Sequence, residues 1–426
     1  MRQPTMSSQP SAPPRRAPGP TRLRGPALIL AAALAGGASA LAKNGPASVP
    51  TPLEGSGVLA GPVVLSPSLE VETGYSDNYL READGDGSAY ASVKPSLLAT
   101  TFWGPHQAAL FLGAEATSYF EGGEDDVYAA EIGARLLLSA WRGGDVILGA
   151  GYEREVETSA DDSAPAGADG PTGVNTLSAS VAVRHNPGLI GLHPFLEYDR
   201  ILHEATDLEG GGEASNDERD RSELTFGLET TYEYSAGYQL FLRGVGSTIN
   251  YDEEIDTNGL ERGSTTATGL LGVNFRVTNL IEGSAGFGYS RRMFDEASFD
   301  DVDTIALDVT LDWSPLETLR VSLNGFQTFA ESTIDDVSVQ NDLGFKLRAD
   351  YALYDDISLS SSLGYTHSTF EGVSRTDQTL EAGLALAYHL SEFVRLEAGY
   401  EFARDASNTE EDATENRVYV GLDAQY

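Results

Sequence analysis

The last ten residues, Arg417-Val418-Tyr419-Val420-Gly421-Leu422-Asp423-Ala424-Gln425-Tyr426, decide the fold. Val418, Val420, Leu422, Ala424 and the terminal Tyr426 are apolar, and Arg417, Gly421, Asp423 and Gln425 alternate with them. A period of two sends one set of side chains toward lipid and the other toward a wet interior. Such a closing strand is typical of an outer-membrane β-barrel. Its C-terminal aromatic resembles the signal that barrel assembly machinery reads, so the five apolar positions are the candidate assembly signal.

Working back from that strand, one unit repeats from residue 65 onward. An alternating segment of about a dozen residues enters a polar loop, a second segment returns, and a tight turn leads to the next pair. The tight turns are Gly104-Pro105-His106, Arg142-Gly143-Gly144-Asp145, Pro187-Gly188, Ser235-Ala236-Gly237, Thr278-Asn279, Pro315-Leu316-Glu317, Tyr354-Asp355-Asp356 and Ser391-Glu392. The opposing connections are longer and acidic: Asp84 to Asp86, Glu121 to Asp126, 158–173, 204–218, 252–261, Asp295 to Asp303, 331–336, 371–377 and 405–415. Eight turns joining nine hairpins give eighteen strands, starting at Ser66, Ser88, Gln107, Val127, Asp145, Val174, Leu192, Arg219, Tyr238, Arg262, Leu280, Val302, Thr318, Val337, Ile357, Thr376, Val394 and Glu415. An even count puts both termini on the periplasmic side, with short turns there and long loops outside.

Individual strands show two faces. Over 223–234 the outer set is Leu224, Phe226, Leu228, Tyr232 and Tyr234, against Glu223, Thr225, Gly227, Glu229, Thr231 and Glu233 inside. Over 337–351 the outer set is Val337, Val339, Leu343, Phe345, Leu347 and Tyr351, leaving Gln340, Asp342, Lys346, Arg348 and Asp350 inside. Charges of that kind facing hydrocarbon would cost about 2–4 kcal/mol each near the midplane. Trp103, Trp141, Trp313, Tyr351, Tyr354 and Tyr388 gather at strand ends, where aromatic girdles sit. A soluble β-sandwich would alternate too, but it must manage its edges. A uniform series of long-loop and short-turn hairpins fits a closed meander better. Strand 2 is the least regular, with Pro95 inside it.

The N-terminus carries a targeting pattern. Arg15, Arg16, Arg22 and Arg24 precede the apolar run from Ala27 to Leu34, and Ala38-Ser39-Ala40 or Ala40-Leu41-Ala42 supplies a small-residue cleavage site. We read 1–42 as a signal peptide, 43–64 as a Pro- and Gly-rich periplasmic lead-in, and 65–426 as the barrel. Beyond position 42 no run approaches the roughly 20 apolar residues of a spanning helix. Removing 1–42 leaves 22 basic against 65 acidic residues, a net charge of −43. A field of that sign repels nucleic acid. The 19 Tyr and 16 Phe spaced through alternating segments argue against disorder. With no Cys there is no disulfide and no thiolate metal site.

Chemistry-bearing residues are sparse. His106, His185, His193, His203, His367 and His389 lack metal-ligand spacing, and no Ser or Asp is singled out beside a His, so no catalytic, cofactor or metal residue is assigned and the chain reads as a non-enzyme. Asp84-Gly85-Asp86, Asp125-Asp126, Asp252-Glu253-Glu254, Asp300-Asp301-Val302-Asp303 and Glu410-Glu411-Asp412 match no complete calcium loop. They read as solvated loops, with loose divalent bridging to anionic lipopolysaccharide as the alternative. Arg135, Arg184, Arg276, Arg320, Lys346, Arg348 and Arg395 fall near the tight-turn ends, mostly on the inner face, and form a candidate basic rim of the lumen. They either ease an anionic solute or polymer out of the periplasm, or pair with carboxylates such as Asp308, Asp312, Asp350 and Glu397 and stiffen the wall.

Gly74-Tyr75-Ser76-Asp77-Asn78, Lys94-Pro95-Ser96, Trp103-Gly104-Pro105-His106 and Tyr119 resemble the opening of the putative β-barrel porin 2 family of Gram-negative outer-membrane proteins. The resemblance implies an outer-membrane barrel, and an association with exopolysaccharide export systems that many members have. It transfers no catalytic or cofactor residue. The sequence therefore points to an all-β, antiparallel, up-and-down transmembrane barrel of about 18 strands. A barrel of that size holds an aqueous channel unless something fills it, and the 158–173 or 204–218 loop is placed to fold inward and narrow it. The leading function is a porin-like channel for small solutes or the outer-membrane component of polysaccharide export. A plugged, partner-dependent barrel and a barrel hydrolase follow in that order. The implied partners are outer-membrane lipid and lipopolysaccharide, the assembly machinery and export proteins, with a homotrimer left open.

Overall fold

Period-two alternation becomes ladder geometry in the computed structural model, which describes residues 57–426 apart from 84, 122–125, 158–167, 169, 209–210, 279, 333, 335 and 410. The expected signal peptide and residues 43–56 of the lead-in lie outside the described residues, as do Asp84, Asp125, Asn279, Glu410 and most of the 158–173 loop. Eighteen long strands follow: β1 (Val63–Ser76), β2 (Ser88–Trp103), β3 (His106–Tyr119), β4 (Val127–Trp141), β5 (Gly144–Glu157), β6 (Thr172–His185), β7 (Ile190–His203), β8 (Arg221–Ser235), β9 (Tyr238–Tyr251), β10 (Ser264–Thr278), β11 (Ile281–Phe294), β12 (Val302–Leu316), β13 (Leu319–Ala330), β14 (Val339–Tyr354), β15 (Ile357–Glu371), β16 (Arg375–His389), β17 (Val394–Ser407) and β18 (Ala413–Gln425). Each expected strand start lies within three residues of an observed one.

Every strand pairs antiparallel with its sequence neighbours, and β1 closes on β18 from Ser68 opposite Gln425 to Ser76 opposite Arg417. Closure removes the unpaired edges that hydrocarbon does not tolerate. The C-terminal stretch seats as its alternation requires, with Val418, Val420 and Tyr426 more than half exposed on the outer face. Tyr426 stacks on Phe393 at 4.9 Å and its N–H donates to the Pro67 carbonyl, tying the chain end to β1. In β8 the outer set Leu224, Phe226, Leu228, Tyr232 and Tyr234 is exposed while Glu229 and Thr231 are buried inside. Trp103, Trp141, Trp313, Tyr351, Tyr354 and Tyr388 are exposed at the short-turn end, and Tyr75, Tyr128, Tyr198, Tyr289 and Tyr400 near the long-loop end. Tyr400 lies opposite Val418, eight residues before Tyr426. At about 3.4 Å per residue and a tilt of about 40° those eight residues rise roughly 20 Å, close to the apolar band of an outer-membrane barrel.

Two prolines mark local interruptions. Pro95 keeps its register with Leu69 of β1, but the β2–β3 ladder skips from Val93 to Ser96. Pro194 stays paired with Leu228 of β8 while the β6–β7 ladder skips from Phe195 to Leu192. A residue without an N–H gives up pairing on one side only.

The largest interruption involves no proline. The β12–β13 ladder runs from Leu316 opposite Leu319 to Asp308 opposite Phe326 and stops, leaving Val302–Leu307 without a partner on that side. Beyond Phe326, β13 pairs only with β14, up to Ala330 opposite Gln340. Here the alternation misleads. Val337 and Val339, placed on the lipid face by period two, are both fully buried.

Candidate functional site: the lumen wall

Ladder parity fixes which side chains line the interior, and β9–β12 illustrate how the wall is built. Phe241, Leu270 and Ala306 form a buried inner cluster. It exists because Gly272 and Gly286 have no side chain. A Cβ at Gly272 would stand 2.3 Å from the Phe241 ring and from the Ala285 carbonyl oxygen, and one at Gly286 2.9 Å from that ring. Across this floor Arg243 of β9 bonds Glu229 at 2.8 Å and Asp308 of β12 at 2.6 Å. Its guanidinium lies 5.1 Å from the Phe241 ring centroid. A cavity of about 480 Å³ opens beside it toward the short turns, with Glu233, Arg276 and Glu282 in its lining.

The seven basic residues anticipated as a rim face inward by parity, and most are matched locally. Arg184 meets Asp145 at 3.4 Å, Arg276 meets Glu282 at 2.7 Å and Arg320 meets Asp312 at 3.5 Å. Arg348 meets Asp350 at 2.9 Å, and Arg395 lies between Asp423 at 2.9 Å and Glu397 at 3.7 Å. Lys346 and Arg135 have no ion-pair partner among the described residues, and the Arg135 Nε is buried without a hydrogen bond. The structure does not gather the seven into one cluster: they are spread over six strands, Lys346 and Arg348 sharing β14, and five of them lie beside an acid.

A second set of cations, at the long-loop half, was not singled out from sequence. Arg81, in the first long loop, has φ 54° and reaches Glu415 at 2.8 Å, Glu381 at 3.6 Å and Asp405 at 4.0 Å. Arg219 bonds Glu157 at 2.7 Å, and Arg375 bonds Asp377 at 2.6 Å. Arg292, 2 % exposed, donates to Ser264 at 2.8 Å and to Glu331 at 2.5 Å, and Glu331 also accepts from the Tyr251 hydroxyl at 2.8 Å. Inward parity is the sequence signal for Arg292 and Arg375, whereas Arg81 and Arg219 lie in loops; Asp377 is two residues from Arg375 on the same strand, and the other partners are fixed only by which elements face one another.

The acids are distributed unevenly. On β9–β18 nearly every inward carboxylate has a cation within reach. On β4, β5 and β7 this is not so: Glu131, Glu153, Glu155, Glu197 and Asp199 have no ion pair among the described residues. Glu131 stands directly opposite Glu153, and Asp199 directly opposite Glu223. Like charges facing across a ladder are destabilising, and of these four only Glu223 has a cation, Arg221 at 2.9 Å.

One long loop packs against the rim of the wall. Thr206–Asp207 and Glu213–Ala214 form a small hairpin, Asp217–Arg219 adds one helical turn, and Ala168 bridges to Leu208. Asn216, buried, donates to the Glu204 carbonyl at 2.7 Å and to Thr206 at 2.9 Å, and Thr206 bonds Thr172. Arg154 and Asn175 both bond the Glu204 carboxylate, and those bonds hold it below the usual carboxylate range. The 204–218 loop is thus folded down onto the rims of β5–β8. No group of three or more metal-ligating side chains occurs among the described residues. The histidines are spread singly: Trp141 donates to His185 at 3.0 Å, His193 meets Glu229 at 3.5 Å and His203 meets Asp220 at 3.3 Å.

A family model described as putative beta-barrel porin 2 matches residues 51–426. No curated protein matches the sequence. Among solved structures the chain is similar to the outer membrane protein OpdK from Pseudomonas aeruginosa, at 13% identity over 85% of this chain and 99% of that one, with a TM-score of 0.47. It is also similar to the ferric enterobactin receptor PfeA of the same organism, at 9% identity over 85% and 80% with a TM-score of 0.46. The siderophore receptor PirA from Acinetobacter baumannii matches at 8% identity over 85% and 80%, with a TM-score of 0.46.

Proposed function

Because the chain belongs to the putative beta-barrel porin 2 family, we propose that it is an outer-membrane channel for small hydrophilic solutes, favouring cationic and neutral solutes over anions. The observation that carries this reading is the unmatched carboxylate arc of Glu131, Glu153, Glu155, Glu197 and Asp199 on β4, β5 and β7, where two like-charged pairs face each other across ladders. Fixed wall charges set the barriers that permeating ions meet. The anticipated basic rim does not offset this arc, since five of its seven members are tied to neighbouring carboxylates. In this reading both termini and the short turns are periplasmic, and the long loops face outward. Polysaccharide export, implied by the family resemblance, fits this wall only for a neutral or cationic polymer, because an anionic chain would run along unpaired carboxylates.

The test is the reversal potential of the refolded protein in a planar bilayer under a KCl gradient. We expect a cation-to-anion permeability ratio of about five or more, falling toward one when Glu131, Glu153 and Glu197 become Gln and Asp199 becomes Asn. An anion-selective wild type would overturn the proposal.

A further inference from the structure

The end of β13 does not lie in the barrel wall. Glu331, one residue past β13, bonds Tyr251 of β9 and Arg292 of β11. Strands are spaced about 4.8 Å apart, so β9 and β13 are separated by roughly 19 Å along the wall, more than a Glu and a Tyr side chain can span. The backbone past Phe326 must therefore leave the wall and cross the lumen on a chord. Three further contacts agree. Phe329 lies 5.8 Å from the Arg292 guanidinium. Asn341 of β14 donates to Thr304 of β12 at 3.1 Å, across the place where β13 should intervene. Arg262, just before β10, donates to the carbonyls of Ser332 at 2.9 Å and Val337 at 3.1 Å. Phe329, Glu331, Val339 and Asn341 share the parity that elsewhere faces lipid, yet three of them touch inner-wall residues and Val339 is fully buried. The ends of β13 and β14 are lapped inside β12.

The sequence supports a second position for the same strand end. If the β12–β13 register continued past Asp308 opposite Phe326, Gln327 would oppose Leu307, Thr328 Ala306, Phe329 Ile305 and Ala330 Thr304. Phe329 and Ile305 would then lie side by side on the lipid face, with Thr328 and Ala330 turned inward. The next pair would set Glu331 against Asp303, two carboxylates that repel.

We propose that the end of β13 is a two-position constriction of the lumen, latched in its lapped position by Glu331 in the pocket of Arg292 and Tyr251, and that zipping onto β12 widens the channel. This rests on the channel reading for its consequence, but not for its geometry. The latch is tested without current. The natural chain has no cysteine, so I305C with F329C reports the zipped position by disulfide formation in the refolded barrel under a fixed concentration of copper–phenanthroline as oxidant. With Glu331 intact the pair should cross-link slowly. With E331Q the rate should rise about tenfold, as a local opening equilibrium shifts. Exchanging the charges, E331R with R292E, should restore slow cross-linking where E331R alone does not. Equal cross-linking with and without Glu331 would overturn the latch. Conductance is then compared in cysteine-free protein, where E331Q should conduct about twofold more than wild type. Faster cross-linking with unchanged conductance would overturn the constriction. A wild type and an E331Q that both fail to conduct, with the cross-link still responding, would defeat the channel reading and leave the latch standing.

Discussion

Replacing Arg243 by Met removes one guanidinium and strands two carboxylates. Arg243 is 3 % exposed, against 11 % for Glu229 and 8 % for Asp308. Breaking a buried pair by removing one partner costs about 3–5 kcal/mol, and loss of the contact with the Phe241 ring adds roughly 0.5–1 kcal/mol. The neighbouring 480 Å³ cavity admits water to the stranded acids, which places the expected loss near the lower bound, about 3 kcal/mol. The assay is urea unfolding in phospholipid vesicles, followed by the three tryptophans Trp103, Trp141 and Trp313. R243M combined with E229Q and D308N should regain most of the loss, because no charge is then left without a partner. If R243M stays within about 1 kcal/mol of wild type, or the triple variant is no better than the single, the charge reasoning is refuted and Arg243 matters only as filler.

Four further outcomes follow from the same geometry. Phe226→Arg, on the lipid face, should cost about 2–4 kcal/mol in vesicle unfolding while Thr225→Arg, on the lumen face, costs far less; equal costs would invert the assigned faces. Gly272→Ala should cost about 1–3 kcal/mol in the same unfolding assay, because its Cβ meets both the Phe241 ring and a backbone oxygen. Tyr426→Ala loses the stack on Phe393, worth about 1 kcal/mol, and should lower the yield of heat-modifiable barrel in cells more than it lowers refolding in vitro. For Glu331, burial alone would raise its pKa, but Arg292 and Arg221, with bonds from Arg292 and Tyr251, outweigh burial and hold it below the usual range. A carboxylate depressed in the folded state contributes fully above its unfolded pKa and loses that contribution as pH falls through the folded value. The ratio of E331Q to wild-type I305C/F329C cross-linking rates, in which the thiolate dependence cancels, should therefore hold down through about pH 4.3, the free glutamate value, and fall toward one only below it.

Much of this protein was written in period two. The alternation around Leu224, Phe226 and Leu228, the Gly-containing turn at Ser235-Ala236-Gly237 and the apolar positions up to Tyr426 determined strand number, faces and closure, because each is a local property of backbone pleat and turn geometry. The inward parity of Arg184, Arg276, Arg320, Lys346, Arg348 and Arg395 was legible for the same reason. Which acid each cation meets was legible only where the partner is close in sequence, as for Arg348 and Asp350. Arg243 with Asp308, Arg81 with Glu415 and Arg292 with Glu331 were decided by curvature, which brings strands far apart in sequence to one interior. The lapped end of β13 shows the limit most clearly. Phe329, Val337 and Val339 carry a lipid-facing pattern that the ladder could have accepted, yet both valines are fully buried, Phe329 is half-buried against Arg292, and Glu331 bonds Arg292 and Tyr251 on the inner wall. A local pattern fixes which face a residue occupies within its strand, and only the closed barrel decides whether that strand stays in the wall.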